Sequence, residues 1–186
     1  MVEQLTSPLV ASEKIEWLKS KIRDIADFPK PGIVFKDLTT LLKDADAFSC
    51  VIDVLSDHFR TLKPDYIAGI EARGFILAPV IAHKIGVGFI PIRKAGKLPY
   101  RVVKETYNLE YGTDTVEVHE DAVDKGAKVV LIDDLLATGG TALAAYNLLT
   151  KVGADVISIG FVVELGFLNG RARLPANVDV VSVLNY

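Results

Sequence analysis

One cysteine, Cys50, is all the thiol chemistry in this 186-residue chain. A lone thiol permits no internal disulfide, so a reducing compartment is expected. Cys50 lies in a helical segment without a basic neighbour, which points to packing. A basic excess is missing too: 21 Lys and Arg against 24 Asp and Glu leave a formal net charge of -3, arguing against a general nucleic-acid binder. The longest apolar runs, near Phe75 to Ala82, fall far short of the ~20 residues a membrane span needs. Met1 to Ser12 lacks the basic start and continuous apolar core of a secretory signal, so a cytoplasmic protein is expected, with no membrane and no nucleic-acid partner. His58, His83 and His119 show no metal-ligand spacing, and no protein-held metal is expected. No Gly-Lys-Ser/Thr is present for a P-loop, and no G-x-G-x-x-G follows a strand as a dinucleotide site requires. Repeats and low-complexity segments are also missing. With half the residues hydrophobic, the chain can bury a sizeable core, and one domain over residues 1–186 is expected.

What is present centres on Val129 to Thr141, V-V-L-I-D-D-L-L-A-T-G-G-T. Val129, Val130, Leu131 and Ile132 fit a strand buried on both faces, as in a parallel sheet covered by helices. Asp133 and Asp134 should end it, at a rim where water or a ligand takes up their lone pairs. Ala137, Thr138, Gly139, Gly140 and Thr141 follow, small enough for a ligand to approach the backbone, and then a helix begins. Amides and hydroxyls beside a positive dipole end make a seat for a phosphate. An apolar strand ending in acids, or a Gly-Gly turn, is common without function; the combination is more telling.

Ser12 reads as the N-cap of a helix carrying Ile15, Leu18, Ile22 and Ile25. The run from Asp27 to Gly32, with Pro29 and Pro31, breaks it, and Ile33 to Asp37 reads as a short extended piece. Phe48, Val51, Leu55, Phe59 and Leu62 give a second amphipathic helix that Lys63-Pro64 stops. From Tyr66 the rhythm becomes strand (Tyr66 to Ile70), turn (Glu71 to Gly74), helix (Phe75 to Ile85), strand (Val87 to Ile92). It recurs at Val129 to Asp133, Thr141 to Val152 and Val156 to Val163, with Gly153 after the helix. Two such units imply a parallel sheet, with ligands beyond the carboxyl ends of its strands. The Glu71 to Gly74 loop, the Arg93-Lys94 end and the Asp133 to Thr141 loop should therefore share one crevice.

Between the units lies a charge-segregated segment. Arg93, Lys94, Lys97, Arg101 and Lys104 crowd one end; Glu105, Glu110, Asp114, Glu117, Glu120, Asp121 and Asp124 follow. Most of the acids read as a solvated face. The bases, with Arg73, could neutralise a pyrophosphate. Lys97 to Thr113 has little periodicity and reads as a long excursion, a lid kept mobile by repulsion among its bases and open to trypsin at Lys97, Arg101 or Lys104.

The Val129 to Thr141 stretch resembles the signature of phosphoribosyltransferases that use phosphoribosyl pyrophosphate. Further motifs resemble the adenine-specific branch of that family: Phe28-Pro29-x-Pro31-Gly32-Ile33-x-Phe35-x-Asp37, Glu71-Ala72-Arg73-Gly74-Phe75, Ile92-Arg93-Lys94-x-Gly96-Lys97-Leu98-Pro99, Leu109-Glu110-Tyr111-Gly112 and Val163-Glu164-Leu165. Tyr100 departs from the pattern, which has glycine after Leu-Pro. The resemblance implies an α/β fold, a parallel sheet flanked by helices (the type I phosphoribosyltransferase fold) with a small hood and a flexible flap. It implies transfer of a 5-phosphoribosyl group to N9 of adenine, giving AMP and pyrophosphate, in a homodimer. Mg2+ is carried mainly by the substrate pyrophosphate. By the same resemblance Asp133 and Asp134 bind the ribose hydroxyls, and Ala137, Thr138, Gly139, Gly140 and Thr141 cradle the 5'-phosphate. Arg73, Arg93, Lys94 and Lys97, the last three from either subunit, meet the pyrophosphate. Phe35 and Leu165 sandwich the purine, and backbone near Val34 and Lys36 reads its edge. Glu110 handles the purine's proton and Tyr111 folds over the base.

Two rival readings remain at this level. Another base, such as guanine, hypoxanthine, xanthine or orotate, could be the acceptor. A regulator could sense phosphoribosyl pyrophosphate without turnover, although the appendage or basic face expected for binding DNA or RNA is missing.

Overall fold

A computed structural model describes residues 10–108 and 112–186. The chain divides into two compact units, Met1–Val54 and Leu55–Tyr186. In the first, α1 (Ser12–Ser20) buries Leu18 completely. It ends earlier than the Ile22 and Ile25 spacing predicts. Ile25 belongs instead to β1 (Arg23–Ala26), which pairs antiparallel with β2 (Val34–Asp37), Ile25 opposite Phe35. The periodic pattern is overridden because Arg23 to Ala26 find backbone partners across a hairpin. The hairpin loop is closed by Gly32 N–H donating to Asp27 Oδ1 at 2.7 Å. At the end of β2, Asp37 accepts from the Thr39 hydroxyl at 2.7 Å and from Arg23 Nε at 3.1 Å. Those bonds, Thr39 first and then Arg23, hold its carboxyl down at about 2. They also fix the turn into α2 (Thr39–Leu42). Asp44 Oδ1 accepts from Ala47 N at 3.0 Å, capping α3 (Ala45–Leu62) as a short acid at a helix start does. Val51, Leu55 and Phe59 are fully buried, as the spacing predicts; Cys50 is buried as well.

The second unit contains the strand-helix rhythm: β3 (Tyr66–Ile70), α4 (Gly74–Ile85), β4 (Gly88–Lys94), then β5 (Val102–Asn108), β6 (Thr113–His119), β7 (Lys128–Leu136), α5 (Gly140–Lys151), β8 (Asp155–Glu164) and β9 (Asp179–Asn185). The strands form a seven-stranded sheet in the order β5-β6-β4-β3-β7-β8-β9. β4, β3, β7, β8 and β9 run parallel, whereas β6 is antiparallel to both β4 and β5. Val129 to Ile132 have no exposed surface, because α4 and α5 pack against the sheet beside them.

Within the Lys97 to Thr113 excursion, the described residues from Val102 to Asn108 form a regular strand. They make an unbroken antiparallel ladder with Thr113 to His119. The bases at its root do not simply repel one another either. Arg93 pairs with Glu71 at 3.1 Å, Lys94 with Asp114 at 3.2 Å, Arg101 with Glu120 at 3.6 Å and Lys104 with Glu117 at 3.4 Å. Charges that read as two blocks in sequence interleave once the hairpin folds back on itself.

Candidate active site

Sheet order decides where a ligand can sit. From β3 the chain crosses to β4 on one side; from β7 it crosses to β8 on the other. The carboxyl ends of the adjacent β3 and β7 therefore open a crevice at a topological switch point. β3 pairs with β7 only as far as Gly69 opposite Ile132, while β8 accompanies β7 to Leu136 opposite Glu164. From Asp133 onward, β7 has a neighbour on one side only.

This corrects the expectation that the two acids end the strand. β7 continues to Leu136, held by β8, and Leu136 O also accepts from Leu165 N at 2.9 Å. Nor do both carboxylates lie at the rim: Asp134 is 5% exposed, and its Oδ2 accepts from Arg73 Nε. Arg73 reaches it from the turn between β3 and α4 and keeps 42% of its side chain in solvent. Asp133 is half-buried, and its Oδ1 accepts from the Asp134 N–H at 2.9 Å. Burial, and then the neighbouring Asp134 carboxylate, push Asp133 well above the ordinary carboxylate range. A cation or developing positive charge in the crevice would draw it down again.

Arg73, Asp133, Asp134 and the run Leu135 to Ala142 line a cavity of about 220 Å³. Ala137, Thr138, Gly139, Gly140 and Thr141 curve around it at the start of α5, where free amides meet the positive dipole end. Gly74, at the start of α4, is pressed onto β7: an added Cβ would lie 2.9 Å from Ile132 O. Glycine there brings the Arg73 turn against the acids.

Gly139 has φ of +81°, a region that glycine enters without strain. Its missing side chain makes room for the protein itself as well: a Cβ there would stand 2.4 Å from Gly170 O. Gly170 in turn approaches the loop so closely that a Cβ on it would lie 2.1 Å from Ala137 O. The turn Gly170–Arg173 thus backs the cradle, a contribution that carries no local signature. Its support is Arg171, which donates to Glu164 Oε1 at 3.0 Å and Oε2 at 2.5 Å, while the Ser182 hydroxyl donates to Oε2 at 2.7 Å. Burial would raise Glu164, but those bonds outweigh it and hold the carboxyl below its usual range. A depressed acid stabilises the fold fully above its unfolded pKa of ~4.3 and loses that contribution as pH falls through the folded value. Glu164→Gln should therefore be less stable than wild type at pH 7, with the difference shrinking below about pH 4. Urea titrations between pH 3 and 7 test this, and a constant difference would remove the charge from the explanation.

Other expected site residues fall into four groups. Arg93, Lys94 and Lys97 lie on the β4 end and its following turn. Arg93 Nε donates to Glu71 Oε2 at 3.1 Å and Lys94 N–H to the same oxygen at 3.2 Å, joining that turn to the loop that carries Arg73. Leu165 follows β8, half-buried. Val34, Phe35 and Lys36 belong to the first unit: Val34 is 49% exposed, the Phe35 ring meets Phe28 edge-on with centroids 5.2 Å apart, and Lys36 pairs with Asp24 at 2.7 Å. Phe28 is itself half exposed. Glu110 and Tyr111 lie outside the described residues.

Residues 38–184 match the model of the phosphoribosyl transferase domain. That span includes the switch-point crevice, the paired acids and the small-residue loop that line the cavity. An adenine phosphoribosyltransferase of Solibacter usitatus is 57% identical over 169 residues, covering 91% of this chain and 97% of that protein. The crystal structure of adenine phosphoribosyltransferase from Rhodothermus marinus superposes with a TM-score of 0.88 at 45% identity, covering 95% of this chain and all of that one. The Saccharomyces cerevisiae enzyme, solved with an imino-altritol bisphosphate and adenine, also gives 0.88 at 38% identity, covering 94% of this chain and 100% of that one. The chain belongs to the phosphoribosyltransferase family and, within it, to the adenine phosphoribosyltransferases.

Proposed function

We infer that the protein transfers the 5-phosphoribosyl group of phosphoribosyl pyrophosphate to N9 of adenine, giving AMP and pyrophosphate. The observation that carries this is the cavity at the β3 and β7 ends, where the 137–141 cradle, two acids and Arg73 converge. The bond from C1 to the pyrophosphate oxygen breaks early, leaving oxocarbenium-like charge, and the bond from N9 to C1 forms. The protein's work is to hold the leaving group, orient the base and stabilise that charge, which needs no protein nucleophile. In our reading the 137–141 loop holds the 5'-phosphate, and Asp133 and Asp134 take the ribose hydroxyls. Arg73, with Arg93, Lys94 and Lys97 of this or a second subunit, takes the pyrophosphate. Phe35 and Leu165 sandwich the purine, backbone at Val34 and Lys36 reads its edge, and Tyr111 covers it. Glu110 handles the purine's proton near N7.

Among the described residues, no group of three or more His, Cys, Asp or Glu could hold a metal ion. Mg2+ would instead be carried mainly by the substrate, on its pyrophosphate and ribose hydroxyls, as a hard cation that keeps some of its waters. Such an ion would offset the pyrophosphate charge as it leaves. We further propose that residues 1–186 act as one catalytic domain, in a homodimer, in the cytoplasm. Among the described residues no helix is long and apolar enough to cross a membrane. Sedimentation at working concentration tests the dimer.

The activity test is product formation from phosphoribosyl pyrophosphate, Mg2+ and one base at a time. A site that hydrogen-bonds one purine edge rejects the wrong edge by ~10⁴, so adenine should exceed hypoxanthine by about that factor in kcat/KM. Equal turnover of hypoxanthine would overturn the adenine assignment, and no turnover of any base would leave a sensor.

A further inference from the structure

We propose that Glu117 is a positioning residue for the pyrophosphate half of the site, fixing the turn that presents Arg93 and Lys97; this rests on the function proposed above. Glu117 lies in β6 opposite Arg93 of β4, with 1% of its side chain exposed. Its Oε1 accepts from the backbone N–H groups of Lys97 and Leu98, both at 3.1 Å. Its Oε2 stands 3.4 Å from Lys104 Nζ on β5. Gly96, at φ +81°, supplies the left-handed residue that turns successive amides toward one point, the geometry of an anion nest. Here the anion is permanently the protein's own carboxylate.

The turn is gripped from the other side as well. Arg93 Nη1 donates to Lys97 O at 3.1 Å, while its Nε and Nη2 donate to Glu71 at 3.1 and 3.3 Å. Two carboxylates thus bracket residues 93–98: Glu71 ties them to the Arg73 loop, and Glu117 ties them to the hairpin. Burial would raise the Glu117 carboxyl, yet the amides and Lys104 outweigh it and keep the group ionised. The arrangement sets a fixed negative charge beneath a cluster of bases and leaves the Lys97 side chain at an exposed position. Without it, water can solvate the exposed turn's amides, so the expected result is a loosened turn and a misplaced Lys97 and Arg93, not an unfolded protein.

The reverse reaction separates this role from a general loss of structure, because pyrophosphate and AMP enter as separate substrates. Glu117→Ala should raise the KM for pyrophosphate by about tenfold or more while the KM for AMP stays within about twofold. Glu117→Gln, which retains a carbonyl oxygen for the two amides, should recover most of the loss. An unchanged KM for pyrophosphate in Glu117→Ala, an equal rise in both KM values, or no recovery with Gln would overturn the role of Glu117 alone. A wild-type protein that forms no product from AMP and pyrophosphate would instead overturn the proposed function, and this inference with it.

Discussion

Asp134→Asn should lower kcat/KM by roughly 10² to 10³ while leaving the fold nearly as stable, equivalent to about 2.7 to 4 kcal/mol of barrier for a lost electrostatic group. Asp134 is buried and held by Arg73, so the argument cannot be that its oxygens merely face solvent. It is that the asparagine keeps an acceptor for Arg73 but loses the negative charge that faces Arg73 and a developing cation. Arg73 is 42% exposed, so water screens what the pair loses, and the stability change should be about 1 kcal/mol or less. Steady-state kinetics and urea denaturation on the same preparation decide the point. Near-normal turnover, or loss of folding in step with loss of activity, would count against Asp134 acting on the substrate.

The second large effect concerns a residue that touches no substrate. Gly170→Ala would set a methyl group 2.1 Å from Ala137 O, and neither atom is the end of a flexible side chain. Either the 137–141 loop or the Gly170 turn must therefore shift, by an amount on the order of 1 Å, and a displacement of that size at a positioned site can cost about 10² in rate. Gly170→Ala should raise the KM for phosphoribosyl pyrophosphate and lower kcat/KM about 10²-fold, with a smaller effect on adenine. If both KM values and the melting temperature stay at wild-type values, Gly170 does not support the cradle.

Sequence by itself determined the buried run Val129 to Ile132, the periodic helix from Phe48 to Leu62 and the alternation of strand and helix from Tyr66 onward. Each is local: side-chain spacing of two or 3.6 residues, or an apolar run bounded by turn residues, survives any arrangement of the rest of the chain. The small-residue loop that lines the cavity was legible for the same reason, since its residues are contiguous.

Tertiary structure decided what depends on neighbours distant in sequence. Ile25 had helical spacing and became strand because β2 offered its partner. β7 ran past its acids because β8 continued beside it, and Asp134 turned to Arg73, 61 positions away. The charge-segregated segment looked like repelling bases followed by solvated acids until a hairpin interleaved them, and one of those acids, Glu117, became the buried clamp of the basic turn. Gly170 carries no signal of its own, because the atom that excludes a larger residue belongs to a loop more than thirty positions earlier. Composition and period report what a segment prefers; which carboxylate is buried, and which glycine is obligatory, depends on what the fold brings within 3 Å of it.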